Sequence, residues 1–296
     1  MATKIAVAGA TGNLGGRIIE ALVRRGAEVR ALVRPGTARE KLEKLTSPGV
    51  HVTLVDMTNP PELARAFEGV SCVVSALLGL RDVLVDAQTT LVDAAISAGV
   101  PRFIPSDYSI DFMKVPAGEN RNFDIHREFA ERLEGKSIAS TSILNGAFAE
   151  LLLRGMRMLD LGKKSVSYWE SADQRMDFTT MDDTSAFTAA AALDDSTPRF
   201  LRIAGDQVSP RDLARIAGEV KKAHFELVRS GSLEDLAAII HRERTAHPES
   251  EKETFPMWQG LQYMHNMFSG KGKLEPLDND RYPDIRFTSV RALLGG

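Results

Sequence analysis

Short apolar runs alternate with amphipathic stretches along the first half of the chain. Residues 5–8 (IAVA) are apolar throughout, and Ile18, Ile19, Leu22 and Val23 then recur at helical spacing until Gly26. A continuous apolar run between turn residues reads as a buried strand, and recurrence every three to four positions reads as a helix. The pattern repeats, with strands expected over 28–34, 51–55, 71–76, 102–105 and 137–144 and helices over 37–45, 61–67, 82–98 and 120–133. Gly99 stands just past the helix over 82–98, as Gly26 does past the first, a natural helix C-terminus. Strands alternating with helices this regularly predict an α/β fold with a parallel sheet covered on both faces. Beyond residue 150 the regularity is lost. A helix over 183–193 and a strand over 199–203 are expected to return to the sheet, followed by helices over 210–222, 233–245 and 258–268.

The first strand-to-helix joint reads KIAVAGATGNLGG, with glycines at Gly9, Gly12, Gly15 and Gly16. The spacing is G-x-x-G-x-x-G rather than the best-known G-x-G-x-x-G. At such a joint backbone N–H groups point outward and the helix dipole favours negative charge. Gly9 would allow the sharp turn, Gly12 the close approach of a pyrophosphate and Gly15 tight helix-to-strand packing. Glycines also gather in plain turns. The strand before and the helix after favour a dinucleotide site, with Thr11, Asn13 and Leu14 as further contacts. The expected architecture is therefore a Rossmann-type doubly wound sheet. An NAD(P)-binding domain would cover 1–150, rejoined by 180–205, and a smaller, mainly helical substrate region would cover 151–296.

Ligands of such sheets bind at the carboxyl ends of the strands. Gly9 to Gly15, Arg34, Asp56 with Met57, Ala76 with Leu77, and Ser106 to Tyr108 all fall there. Arg34 ends the second strand, with Arg39 nearby and no carboxylate before Glu40. An arginine there can pair with an adenosine 2′-phosphate, which favours NADP(H) over NAD(H); the alternative is a loop arginine facing solvent. Asp56 either contacts the adenine or caps the helix over 61–67.

Composition narrows the class. The 296 residues are 43% hydrophobic and 26% charged, with a net charge of −3, so no strongly basic surface points to nucleic acid or an anionic membrane. Cys72 is the sole cysteine, which excludes an intrachain disulfide and a multi-cysteine metal site; its apolar surroundings suggest a buried strand. No apolar segment reaches bilayer length, and the N-terminus runs directly into a strand, so a cytoplasmic protein is expected. The expected partner is a small-molecule substrate, and a homodimer is compatible with the sequence.

A tyrosine four residues before a lysine, the proton-donating pair of short-chain dehydrogenases, is absent. At that spacing Tyr108 meets Phe112, Tyr168 meets Ala172, Tyr263 meets Met267 and Tyr282 meets Arg286. GATGNLGG, the strand ending LVR, RFIPSDY, the helix NFDIHREF and the segment NGAF nevertheless resemble the NmrA-like and isoflavone-reductase-like atypical short-chain dehydrogenases, chiefly over residues 1–205. The resemblance implies a lysine, in the pattern F-x-x-K, that serves as general base or proton relay. Here the stretch is Phe123-Asp124-Ile125-His126, so His126 stands in its place. A histidine can move protons near neutral pH, or its presence can mean that the chemistry is altered or lost. Arg127 and Lys114 are the nearest other cations. The resemblance further implies that residues 105–108 lie beside the nicotinamide, with Ser106, Asp107 and Asn145 as cofactor contacts, and that residues 145–148 border the substrate. Tyr108 either hydrogen-bonds the substrate or satisfies buried backbone. Phe148, Phe178, Trp258, Tyr263 and Met267 either line an apolar pocket with it or form core.

These readings together predict an NADPH-dependent oxidoreductase that passes hydride to a small aromatic or conjugated carbonyl or enone, with His126 and Tyr108 as proton donors. The alternative is a non-catalytic NAD(P)-binding redox sensor, which must bind the oxidised and reduced cofactor unequally.

Overall fold

The computed structural model describes residues 2–296. Two compact units interleave along the chain. The first comprises the chain up to Tyr108 with Ile125–Ile143 and Thr184–Leu201, and the second Ser109–Asp124, Leu144–Asp183 and Arg202–Gly296. The division is thus finer than a boundary at residue 150. Residues 109–124 and 144–150 belong to the second unit, and 184–201 belong to the first.

The first unit is built on six parallel strands: β1 (Lys4–Ala8), β2 (Glu28–Val33), β3 (Val50–Leu54), β4 (Cys72–Ser75), β5 (Arg102–Ile104) and β6 (Ala139–Ser140). Their order is β3-β2-β1-β4-β5-β6, the doubly wound order whose direction of winding reverses between β1 and β4. Strands covered on both faces need apolar side chains at every position. β4 is buried throughout and β1 from its second residue onward. β3, at the edge, leaves Val52 40% and Leu54 60% exposed. The connecting helices are α1 (Asn13–Arg24), α2 (Arg39–Glu43), α3 (Pro60–Ala66), α4 (Gln88–Ser97), α5 (Arg121–Glu134) and α6 (Met181–Leu193). One face of the sheet packs its core around Leu63, Phe67, Leu91, Phe103 and Phe129. Cys72 is fully buried in β4, and burial pushes its thiol up to about 12, so it is an inert core residue.

Several elements differ from their expected form. Asn59, not Asp56, caps α3, accepting from the Glu62 N–H at 3.3 Å. The helix expected over 82–98 begins as a π-helix, Asp82–Ala87, before settling into α4. The expected sixth strand splits at Thr141. Its N–H still reaches the Phe103 carbonyl at 3.0 Å, while Ser142 N–H turns to the Arg199 carbonyl at 2.9 Å and begins β7 (Ser142–Leu144). Arg102, 6% exposed, anchors the C-terminal end of α6, donating to the carbonyls of Ala191 (3.0 Å) and Ala192 (3.2 Å) and to Thr197 Oγ1 (2.5 Å).

In the second unit strands stand beside the expected helices. Two three-stranded sheets, Glu226–Gly231 with Ser165–Trp169 and Leu159–Asp160, and Asp206–Val208 with Met176–Thr179 and Ala147–Phe148, accompany four helices. The helices are α7 (Pro210–Lys221), α8 (Leu233–Ala246), α9 (Met257–Ser269) and α10 (Val290–Gly295). α7 and α8 each open on a capping box, Ser209 with Asp212 and Ser232 with Asp235. No helix among the described residues is long and apolar enough to cross a membrane.

Candidate functional site

The glycine turn follows β1 directly. Gly9 has φ +82°, and a Cβ there would lie 2.4 Å from the Ala76 carbonyl oxygen. The Gly12 N–H closes the turn on the Gly9 carbonyl at 2.9 Å. A Cβ on Gly15 would sit 2.2 Å from that same oxygen, whereas one on Gly12 would sit 3.2 Å away. Gly9 and Gly15 therefore bring strand, turn and helix into backbone contact. α1 starts at Asn13 with no side-chain cap and no acidic residue in its first turn. Thr11, Gly12 and Asn13 are exposed and Leu14 is half-buried. The Asn13 side chain turns to its own helix, its Oδ1 accepting from Arg17 Nε at 3.0 Å. The first N–H groups of a helix have no intrahelical acceptor. A cradle that a Cβ would fill, below a helix start without negative charge, suits a pyrophosphate.

The other strand ends differ in how far they are committed. Arg34 is exposed just beyond β2. Its carbonyl accepts from Thr37 Oγ1 at 2.7 Å, and its guanidinium has no partner among the described residues. Arg39 is instead paired with Glu43 at 2.8 Å. Asp56 is exposed, but its Oδ1 already accepts from Thr58 N–H (2.9 Å) and Oγ1 (2.7 Å), which holds the carboxyl below its usual range. Met57 packs, partly buried, against the sheet core. Ala76 N–H continues the β4 ladder to the Ala8 carbonyl at 2.9 Å. The Leu77 carbonyl accepts from Ser106 Oγ at 2.7 Å, and the Ser106 N–H donates to Gln88 Oε1 at 2.9 Å. The buried Gln88 on α4 thus fixes the end of β5, a role no local motif announces.

Past Ser106, Asp107 is fully buried. Its Oδ1 lies 3.0 Å from His126 Nδ1, and its Oδ2 accepts from Ser142 Oγ at 2.6 Å. Ser142 Oγ in turn accepts from Arg199 Nη1 at 2.6 Å. Asp107 therefore points at His126 and not outward along the strand ends. His126 is 8% exposed on α5. Tyr108 turns inward: its hydroxyl is buried beside Thr188 of α6, and burial pushes the phenol well above its ordinary range. An inward hydroxyl of raised pKa is poorly placed to give a proton to a substrate, and the geometry favours the buried alternative.

The remaining sequence candidates lie in the second unit. Asn145 is fully buried, its N–H donating to the Ser109 carbonyl at 2.9 Å and its carbonyl accepting from Thr179 Oγ1 at 2.7 Å. Phe148 is half-buried. Phe178 and Trp258, each 1% exposed, are core rather than pocket wall. The guanidiniums of Arg121 and Arg244 each lie 4.6 Å from the Trp258 ring centroid, and its Nε1 donates to Ser250 Oγ at 2.9 Å. Met267 is 7% exposed and lines a small cavity with Ile110, Met176 and Lys273. The Tyr263 hydroxyl accepts from Asn122 Nδ2 at 3.0 Å, and burial pushes it up to about 12. Its ring meets Phe123 edge-on at 5.1 Å and Phe255 at 6.5 Å. Phe255 and Met257, 57% and 55% exposed, are apolar surface that sequence reasoning passed over. Lys114 is spent on the carbonyls of Lys273 and Glu275, at 2.9 and 3.3 Å.

Strand order, glycine turn and the gathering of polar residues at the strand ends define a Rossmann-type α/β protein. Comparison with known proteins narrows the class. The chain belongs to the NmrA-like family, whose model matches residues 1–282. It is 28% identical to pinoresinol reductase 2 of Arabidopsis thaliana over 81% of each chain. It is also 28% identical to the bifunctional pinoresinol-lariciresinol reductase of Linum perenne, over 98% of this chain and 97% of the relative. Among solved structures, AtPrR2 with NADP+ and (+)-pinoresinol superposes with a TM-score of 0.84 at 24% identity, covering 100% of this chain and 98% of that one. An isoflavone reductase gives a TM-score of 0.83 at 21% identity and 99% coverage of both chains.

Proposed function

We propose that this protein is an NADPH-dependent reductase of a small aromatic or conjugated carbonyl or enone compound. The observation that carries the reading is the contact of His126 with the buried Asp107 at 3.0 Å, in the same unit as the glycine turn. A redox sensor needs the turn but has no use for a histidine held against a buried carboxylate. The names of the relatives, reductases of pinoresinol and lariciresinol, agree with this reaction type.

The glycine turn and the N-terminus of α1 would hold the pyrophosphate, and Arg34, exposed and unengaged, would take the 2′-phosphate that distinguishes NADPH from NADH. Bound there, the reduced nicotinamide supplies a hydride. His126 supplies the proton that must accompany it. In the second unit, Phe255 and Met257 are exposed apolar area of the kind an aromatic compound would cover.

The test is loss of the reduced-nicotinamide signal on mixing the full chain with NADPH and a panel of small aromatic enones and quinones. Turnover is expected with at least one member, and His126→Ala should lower it by about 10²- to 10⁴-fold, the usual yield of a positioned acid or base. Binding that discriminates oxidised from reduced cofactor, with no turnover on any member, would replace this reading by the sensor.

A further inference from the structure

We infer that Asp107, Ser142 and Arg199 form a buried chain that sets the tautomer of His126, placing the ring proton on Nδ1 and leaving Nε2 as the atom that exchanges protons. The inference deepens the proposed role of His126 and rests on it only for the catalytic consequence.

The direction of the chain follows from its donors. A guanidinium has no acceptor, so Arg199 Nη1 must donate to Ser142 Oγ across their 2.6 Å contact. The single hydroxyl proton of Ser142 is then left for Asp107 Oδ2, at 2.6 Å. Oδ1 of the same carboxyl faces His126 Nδ1 at 3.0 Å. An ionised carboxylate can only accept, so Nδ1 must carry a proton. Arg199, a permanent cation, stands at the far end of this chain. Its Nε and Nη2 are buried and find no hydrogen-bond partner among the described residues, and its guanidinium stacks on the Phe200 ring at 4.4 Å. Burial depresses the pKa of Arg199, opposed by the charges of Asp107 and Glu134. A buried cation so sparsely satisfied is costly unless a carboxylate balances it. Asp107 and Ser142, both fully buried, supply that balance.

The consequence is specific. A neutral imidazole free in water favours the proton on Nε2, and an acceptor at Nδ1 reverses this. His126 would then exchange protons through Nε2. As imidazolium it gives the Nε2 proton to the substrate atom that becomes basic after hydride addition, and it regains a proton from water. Asp107, Ser142 and Arg199 are positioning residues, because they act only through the ring.

The deciding experiment is ¹⁵N–¹H correlation spectroscopy of ¹⁵N-histidine-labelled full-length protein, at a pH where the imidazoles are neutral. His126 is assigned by its disappearance in His126→Gln. The Nδ1–H form is expected. In Asp107→Asn, Ser142 should hold the amide oxygen, turning the amide nitrogen towards His126. Nδ1 must then accept, and the proton should move to Nε2. That variant should also lose about 10²- to 10⁴-fold in kcat with NADPH affinity unchanged. An Nε2–H signal in the unaltered protein overturns the inference without any variant, as does an unchanged tautomer in a folded Asp107→Asn. The expected tautomers without turnover on any substrate would leave the inference standing and remove the reductase reading instead.

Discussion

Replacing Gly15 with alanine should loosen the cofactor site and destabilise the first unit together. The added Cβ would lie 2.2 Å from the Gly9 carbonyl oxygen and 2.8 Å from its carbon. Ordinary non-bonded contacts involving carbon fall near 3.5 Å, so the overlap exceeds about 1 Å. Both sides of the contact are backbone, so no side chain can rotate away. Forcing an extra methyl into such a contact costs about 1–3 kcal/mol in stability. The helix start must also move away from the turn by roughly the overlap, which spoils the N–H geometry offered to the pyrophosphate; one hydrogen bond to a charged group is worth about 1.5–3 kcal/mol. At 1.4 kcal/mol per tenfold, that is about 10- to 10²-fold in NADPH affinity. Gly12 provides the control, because a Cβ there meets the same oxygen at 3.2 Å and points into more open surroundings. Gly12→Ala should therefore weaken binding, by crowding the pyrophosphate, with the Tm nearly unchanged. NADPH fluorescence titration and thermal unfolding of the same samples measure both effects. Unchanged affinity and Tm in Gly15→Ala would refute the reasoning, and so would a larger loss of Tm in Gly12→Ala.

Two further perturbations probe other parts of the first unit. Arg34→Ala should weaken NADPH binding far more than NADH binding, since its guanidinium has only the 2′-phosphate to lose; equal losses in parallel titrations would remove the basis for the cofactor preference. Arg102→Leu strands two α6 carbonyls and Thr197, and should cost about 3 kcal/mol by denaturant unfolding, in line with charge-assisted bonds at a helix C-terminus; a change below about 0.5 kcal/mol would show that water replaces the guanidinium.

The sequence alone determined whatever depends on near neighbours in the chain. The apolar runs of β1 and β4 specify strands covered on both faces, and the spacing in α1 specifies its buried stripe. Gly9 and Gly15 announce a turn that only glycine tolerates, and the capping boxes of α7 and α8 announce their own starts. Each is a local conflict or satisfaction that any fold must respect. The reading failed where partners are distant. Thr141 breaks the sixth strand because Ser142 finds the Arg199 carbonyl, a competition no window around Thr141 contains. The apolar positions of α9 look the same in sequence whether they face core or solvent; only packing sends Trp258 inward against two arginines and leaves Met257 outside. His126 was visible through its place in a motif, but its partners were not. Asp107 is 19 positions from His126 and 35 from Ser142, and Ser142 is 57 from Arg199. Only the tertiary fold brings a buried carboxylate and a poorly satisfied guanidinium within reach of one hydroxyl, and that meeting decides which nitrogen of His126 holds its proton.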